Sequence, residues 1–265
     1  MSTGTSARTD VGALLREWRL RRRLSQLDLA VRADVSQRHV SFVETGRSMP
    51  SRALLLHLAE ELDVPLREQN RLLTAAGFAP AFDESPLSAT PLPQIASAVQ
   101  HVLAGHQPFP ALVVDRRWDL IDANDAVFAL LDGVAPHLLD PPANVLRLSL
   151  HPDGLAPRIR NLSTWRAHLL HRLRRQVDAT ADAELAALVD ELAAYPGGSP
   201  DDVVHDDGLV ALLRLQVGGA ELVFVSTVTT FGTPVDVSTD ELSIEAFYPA
   251  DARTASLLGV DRSTP

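Results

Sequence analysis

Four prolines, at positions 80, 86, 91 and 93 in the stretch APAFDESPLSATPLP (residues 79–93), constrain this chain more than any other feature. Proline lacks a backbone N–H and holds φ fixed, so neither a continuous helix nor a central strand runs through them. Ser85, Ser88 and Thr90 share the stretch, and Gly77 just before it suits the end of a helix. The chain is predicted to divide there, with residues 10–78 as one domain, 79–91 as a linker, 92–252 as a second domain and 253–265 as a tail. A length of 265 residues is enough for two cores.

Before the prolines every segment has helical periodicity. Val11, Leu14, Leu15 and Trp18 recur at helical spacing, and Ser25-Gln-Leu-Asp28 has the form of a capping box. A short turn at Ala33-Asp34-Val35 leads to Ser36, an N-cap for a helix reaching Thr45 and stopped by Gly46. Ser51 caps a fourth helix, and Pro65 opens a fifth that carries Leu66, Leu72 and Leu73. Five short helices in about 70 residues predict an all-α bundle.

Two absences narrow the chemistry. The chain has no cysteine, which excludes disulfides, thiolate zinc sites, iron–sulfur clusters and a cysteine nucleophile. It has no lysine, all 24 basic residues being Arg, which excludes a Walker-A lysine, a Schiff base and a pyridoxal-phosphate anchor. No apolar run approaches a membrane span and the start, MSTGTSARTDVG, lacks a signal-peptide core, so a soluble cytoplasmic protein without a membrane partner is expected. The net charge of −10 is uneven: residues 1–82 hold 12 Arg against 9 acids, residues 83–265 hold 12 against 25. The excess is sharpest at Arg16, Arg19, Arg21, Arg22 and Arg23, which suits either a nucleic-acid partner or a solvated helix face.

The segment LSQLDLAVRADVSQRHVSFVETGRSMPS (residues 24–51) places two helices of about eight and ten residues around a three-residue turn, the spacing of a helix-turn-helix. Small Ala30 allows a close crossing, Val40 and Val43 form an inward stripe, and Arg38, Ser41, Phe42 and Thr45 form the opposite side with Gln37 flanking it. The pattern S-Q-x-x-L-A, turn, S-Q-x-x-[apolar]-S-x-[apolar]-E-x-G-R-x-x-P-S resembles the Cro/C1-type (XRE-like) repressor domains over roughly residues 10–77. The resemblance implies double-stranded DNA as partner. Gln26 would hold a phosphate, Gln37, Arg38 and Ser41 would face the major groove beside the N-cap Ser36, Arg47 would touch the backbone, and Glu44 would pair with Arg19. Gln and Arg suit adenine and guanine edges, and helix N-termini suit phosphate. Asp34 stands where the family often has Gly, and Phe42 stands at an often polar position, to meet a thymine methyl or to pack beside the bundle.

After the prolines, residues 92–106 read as a helix through Leu92, Ile95, Val99 and Val102/Leu103. ALVVD (111–115) and WDLIDAN (118–124) read as a hairpin around Arg116-Arg117, and Asn124–Leu131 as a helix with Phe128 and Leu131 inward. A helical stretch runs from about Leu162 to Leu192, broken near 178–181. Strands follow at 209–217, 221–231 and 242–248, with Gly218-Gly219 as a tight turn. Helices on one face of an antiparallel sheet predict an α+β second domain.

The order of these elements resembles a PAS-type sensor and, more narrowly, the ligand-binding domain of MmyB-like regulators, over about residues 92–252. The residues carrying this are Pro110, Val114-Asp115, Trp118, Asn124, Asn144-Val-Leu-Arg147, Trp165 and Phe247-Tyr-Pro-Ala-Asp251. It implies a small apolar ligand, fatty-acid-like, with no other cofactor. Trp118, Phe128, Trp165, Leu213, Leu215 and Phe224 are the candidate lining, or else plain core. His168 and His171 lack a third ligand nearby, so no metal is expected, and Arg158, Arg160 and Arg166 either grip a ligand carboxylate or balance acids such as Asp153. Ser226, Thr227, Thr229 and Thr230 fit strand propensity, Asp201, Asp202 and Asp206 a solvated loop, and no hydrolase, zincin or dinucleotide motif is present. The expected protein is therefore not an enzyme. It is a ligand-responsive, sequence-specific transcriptional regulator acting as a homodimer on a palindromic operator. The competing expectations are a second domain that only dimerises or docks a protein, or one that is catalytic.

Overall fold

The computed structural model of the protein describes residues 10–85, 93–197, 211–232, 234 and 236–259. Leu92 and Leu209, predicted to open a helix and a strand, lie outside these, as do Asp201, Asp202 and Asp206. The first elements are α1 (Val11–Arg21), α2 (Gln26–Arg32), α3 (Gln37–Glu44), α4 (Arg52–Glu61), α5 (Leu66–Ala75), α6 (Pro93–Gly105), β1 (Ala111–Val114), β2 (Leu120–Ala123) and α7 (Asp125–Leu130). Then come α8 (Pro136–Leu139), α9 (Val145–Leu150), α10 (Leu162–Thr180), α11 (Ala183–Ala194), β3 (Leu212–Val217), β4 (Ala220–Thr230), α12 (Val237–Asp240), β5 (Ser243–Pro249) and α13 (Ala252–Leu257). Among the described residues no helix is long and apolar enough to cross a membrane. The chain divides into two compact units: described residues of Met1–Ser85 with Pro234–Asp240, and those of Pro86–Thr233 with Glu241–Pro265.

The first unit is all-α. Its helix starts are set by side-chain caps. The Ser25 hydroxyl accepts the Asp28 N–H at 3.1 Å while Asp28 accepts the Ser25 N–H at 2.8 Å, and Ser36 and Ser51 accept at 3.1 and 3.2 Å. Each such cap is worth roughly 0.5–2 kcal/mol. The core gathers Leu15, Trp18, Leu29, Val40, Val43, Leu55, Leu58, Leu62, Leu72 and Leu73. Asp34 adopts φ +50, the left-handed conformation that the turn between α2 and α3 requires. α2 and α3, at 7 and 8 residues, are each shorter than the hydrophobic pattern predicts.

The segment Pro234–Asp240 joins this unit, which nothing in the local sequence foretold. Asp236 pairs with Asp83 in a parallel bridge, its carboxylate accepts the Ser85 and Thr239 N–H groups, and Val237 N–H donates to the Asp83 carbonyl at 2.9 Å.

In the second unit the five strands form one antiparallel sheet in the order β2-β1-β5-β4-β3, so the strand nearest the C-terminus lies in the middle. Gly218 and Gly219 both take positive φ, +53 and +84, as a two-residue hairpin turn needs. Strand alternation sends Leu112, Val114, Leu213, Leu215, Leu222 and Phe224 into a core with Trp165, Leu169, Leu173, Leu185, Leu188 and Leu192 of α10 and α11. The other face sends Ala111, Val113, Ile244 and Ala246 against Val99 and Leu103 of α6. The unit is α+β as expected, but helices cover both faces, because β1 is apolar on both sides and β5 adds Ile244 and Ala246 to the face that α6 covers.

α10 and α11 separate at Ala181, whose φ of +61 ends the first helix, within the predicted break. The short α8 and α9 and the helical turn α12 carry too few residues for a periodic signal. α13 forms where a tail was expected to begin, and Thr254 on it is fully buried, its hydroxyl accepting the Val223 N–H at 3.0 Å.

Candidate functional site

Two places in the chain concentrate the residues singled out by the sequence. The first is α3. Val40 and Val43 are each 1 % exposed and anchor it from behind, while Ser36, Gln37, Arg38, Thr45 and Arg47 are exposed and Ser41 and Phe42 half-buried. Two guanidinium groups lie over the Phe42 ring, Arg38 at 5.1 Å and Arg47 at 5.8 Å from its centroid. Both are within cation–π range, so the ring positions the two cations on the outward side of α3.

Behind this surface Glu44 holds α1, α2 and α3 together. It accepts Arg19 Nε and Nη2 at 2.6 and 2.9 Å and Gln26 Nε2 at 2.8 Å, and both Arg19 and Glu44 are buried. The hydrogen bonds to Glu44 raise the Arg19 pKa against the opposing effect of burial. The expected Arg19–Glu44 pair is present. Gln26 has one amide hydrogen committed to Glu44 and a second one for another acceptor.

The Arg-rich stretch is less available than its composition suggests. Arg19 is in the buried pair, Arg22 donates to the Leu62 and Asp63 carbonyls at 2.7 and 2.6 Å, and Arg21 pairs with Glu17. Gly12, unremarked in the sequence, makes the α1–α3 crossing possible, since a Cβ there would come within 2.4 Å of the Val43 carbonyl oxygen.

The second place is a cavity inside the second unit, with an empty volume, open mouth included, of about 750 Å³. Of the six predicted lining residues, Trp165, Leu213, Leu215 and Phe224 line it. Trp118 and Phe128 do not. Trp118 is buried beside it in the core, its indole N–H donating to Gln176 Oε1 at 2.8 Å and its ring under the Arg172 guanidinium at 4.3 Å.

Phe128 is 54 % exposed. The inward residues of this helix and its C-cap are Val127, Leu130 and Leu131, a frame that three apolar residues around position 128 leave ambiguous. The lining also takes Leu112, Val127, Leu146, Leu169, Phe247 and one acid, Glu245, which strand alternation on β5 points inward. Trp165 donates its indole N–H to Ser149 Oγ at 3.0 Å.

The remaining candidates have structural partners. Arg158 and Arg166 donate to backbone carbonyls, Leu130 for the first and Tyr195, Pro196 and Gly197 for the second, and Arg160 donates to Gln216. They neither pair with Asp153 nor line the cavity. His168 stacks on Trp165, and burial, then Arg172 and His171, lower its pKa. His137, His151 and Asp153 place ligand atoms within 4.8 Å of one another. The His151 Nδ1 accepts the Asp153 N–H at 3.0 Å.

The asparagines of the second pattern are pins. Asn124 bonds Ala111, Leu103 and Phe109 main chain, and Asn144 caps α9 while donating to Arg117 O and Asp119 Oδ1.

Residues 95–259, well over half of the chain, match the family model of the MmyB-like transcription regulator ligand binding domain. The chain belongs to the MmyB-like transcription regulator family. Residues 15–69 match a helix-turn-helix model, so this MmyB-like regulator carries its DNA-binding domain ahead of its ligand-binding domain. No curated protein matches the chain. The helix-turn-helix match runs from within α1 to the first half of α5, and the ligand-binding match covers the cavity's lining residues.

Proposed function

We propose that the MmyB-like regulator binds a roughly palindromic operator as a homodimer and that a small apolar molecule in the cavity changes its DNA affinity. The observation that carries this is an apolar cavity in a chain that also presents a polar, cation-bearing helix surface anchored by buried valines. In this reading Gln26, Ser36 and Arg47 hold the DNA backbone, and Gln37, Arg38 and Ser41 read base edges. Trp165, Leu213, Leu215 and Phe224 hold the ligand. The working boundaries are 10–78 for DNA binding, 79–91 for the linker, 92–252 for ligand binding and 253–265 for the tail.

One helix-turn-helix covers one half-site, so two half-sites about 34–36 Å apart require two chains. A ligand shifts DNA binding only through unequal affinity for two arrangements of the protein. Chain continuity supplies a route: β4 and β5 carry the lining residues Phe224, Glu245 and Phe247, and the Pro234–Asp240 segment between them packs within the DNA-binding unit.

Selection of bound duplexes from a random pool, followed by sedimentation of the complex, tests the reading. A palindromic consensus carrying two chains is the expected outcome. A single chain on an asymmetric site, or no consensus, overturns it.

A further inference from the structure

Away from the cavity, the second unit brings together two imidazoles and a carboxylate. His137 on α8, His151 at the C-cap of α9 and Asp153 two residues on place one ligand atom each within 4.8 Å of the others, and none of the three lines the cavity. Among the described residues this is the one such group of three. His137 and Asp153 are exposed and His151 is half-buried, so an ion can approach from solvent. The His137 and His151 rings meet edge to face with 5.7 Å between centroids, and His151 Nδ1 lies 3.9 Å from Asp153 Oδ2.

The backbone around the cluster is tightly held. Val134, Leu138, Ala143 and Leu148 form a small core of their own beside it. Ala135 N–H donates to the Asp153 carbonyl at 3.0 Å, Gly154 N–H to the His151 carbonyl at 2.9 Å and Leu155 N–H to the Leu148 carbonyl at 2.8 Å. Gly154 permits this turn, since a Cβ there would come within 2.4 Å of the Leu148 carbonyl oxygen. The Tyr195 ring meets His151 edge to face as well, at 5.0 Å. We propose that His137, His151 and Asp153 bind a divalent transition ion of the zinc class, with water completing the coordination. Two imidazole nitrogens and one carboxylate suit such an ion, and offer too few oxygens for calcium or magnesium. Ligand atoms about 2.0–2.2 Å from a tetrahedral zinc stand roughly 3.4 Å apart, a closure that rotation of the exposed His137 and Asp153 side chains supplies. Ligation through His151 Nδ1 displaces the Asp153 N–H that it accepts, and that exposed N–H turns to water. The bound ion ties α8 to the loop after α9.

Calorimetric titration of metal-stripped, tag-free full-length protein with zinc chloride tests the site. One ion per chain is expected. Its affinity should fall at least ~10-fold in His137→Ala and in Asp153→Asn, because even a residue that only orients a metal ligand is typically worth ~10–100-fold. Both substitutions fall on exposed side chains, so neither removes a core residue. His171→Ala, which breaks the other close histidine pair, His168 and His171 on α10, should leave the affinity unchanged. Millimolar magnesium should not compete. Zinc that binds His137→Ala and Asp153→Asn as tightly as the wild type, that is lost in His171→Ala or that magnesium displaces overturns the proposal, as does the absence of zinc binding.

Discussion

Arg38 and Arg47 share the Phe42 ring yet have different expected roles. Arg38 is the second residue of α3 and Arg47 follows the helix, so in the proposed reading the first reads a base edge and the second holds the sugar-phosphate backbone. Arg38→Ala is expected to weaken operator binding by about 1–3 kcal/mol and to relax selectivity at one base pair. Arg47→Ala should weaken all sequences about equally and reduce the salt slope by roughly one charge. Fluorescence anisotropy on operator and scrambled duplexes at two salt concentrations separates them, and a Arg47→Ala protein with altered base selectivity contradicts the assignment. Both residues, with Gln37 and Ser36, were legible in the sequence, because an exposed position on a short helix depends only on local spacing. Arg22 was not: its partners, the Leu62 and Asp63 carbonyls, lie 40 and 41 residues away.

Elements meet at positions that local patterns do not mark. Gly12 lies against the main chain of Val43 and Glu44, so Gly12→Ala must push α1 and α3 apart at a cost of about 1–3 kcal/mol, typical of overpacking. Urea denaturation of the full chain should show a lower midpoint, with operator affinity falling as α3 shifts; an unchanged midpoint argues against a tight crossing.

Between α9 and α11 the Arg147 guanidinium grips Glu191 through two hydrogen bonds of 2.7 Å, and Tyr195 donates to the same carboxylate at 2.5 Å. The Arg147 bond chiefly lowers the Glu191 pKa, while burial and then Glu191 push Tyr195 up to about 12. With the folded pKa below the unfolded one, the folded protein binds fewer protons, so the contribution is present above the unfolded carboxylate value of ~4.3 and is lost as pH falls through the folded value. Glu191→Gln should flatten that acid-side loss of stability, by a modest amount because the pair is partly exposed to solvent. Urea midpoints on both sides of that range check it; parallel pH profiles for the two proteins count against the clamp.

The helix starts at Ser25, Ser36 and Ser51, the Gly218-Gly219 turn and the break before α11 were all readable from sequence, since each rests on contacts within a few residues. Phe128 was misplaced because a six-residue helix gives no reliable face.

For the whole molecule, the sensing reading requires that filling the cavity silence the response without touching the DNA surface. Leu213→Phe adds bulk to the lining. It should leave operator affinity within about twofold while bringing the ratio of affinities with and without ligand close to one. Anisotropy titrations with and without a binding probe measure that ratio, and an unaltered ratio would place the ligand elsewhere.

Two domains, their classes and the outward polar face of α3 followed from the sequence by itself. Prolines, caps, turns and periodicities act over a few residues, and the chain writes them in order. What only the tertiary structure decided is the company each residue keeps. Glu245 became the acid of an apolar cavity because β5, near the end of the chain, enters the sheet between β1 and β4. Trp118 became a core residue under Arg172 rather than a wall. Pro234–Asp240 joined a unit built mostly from the first 85 residues. Such neighbours are set by closure of long loops and by packing against distant surfaces, and spacing along one strand or helix carries no record of them.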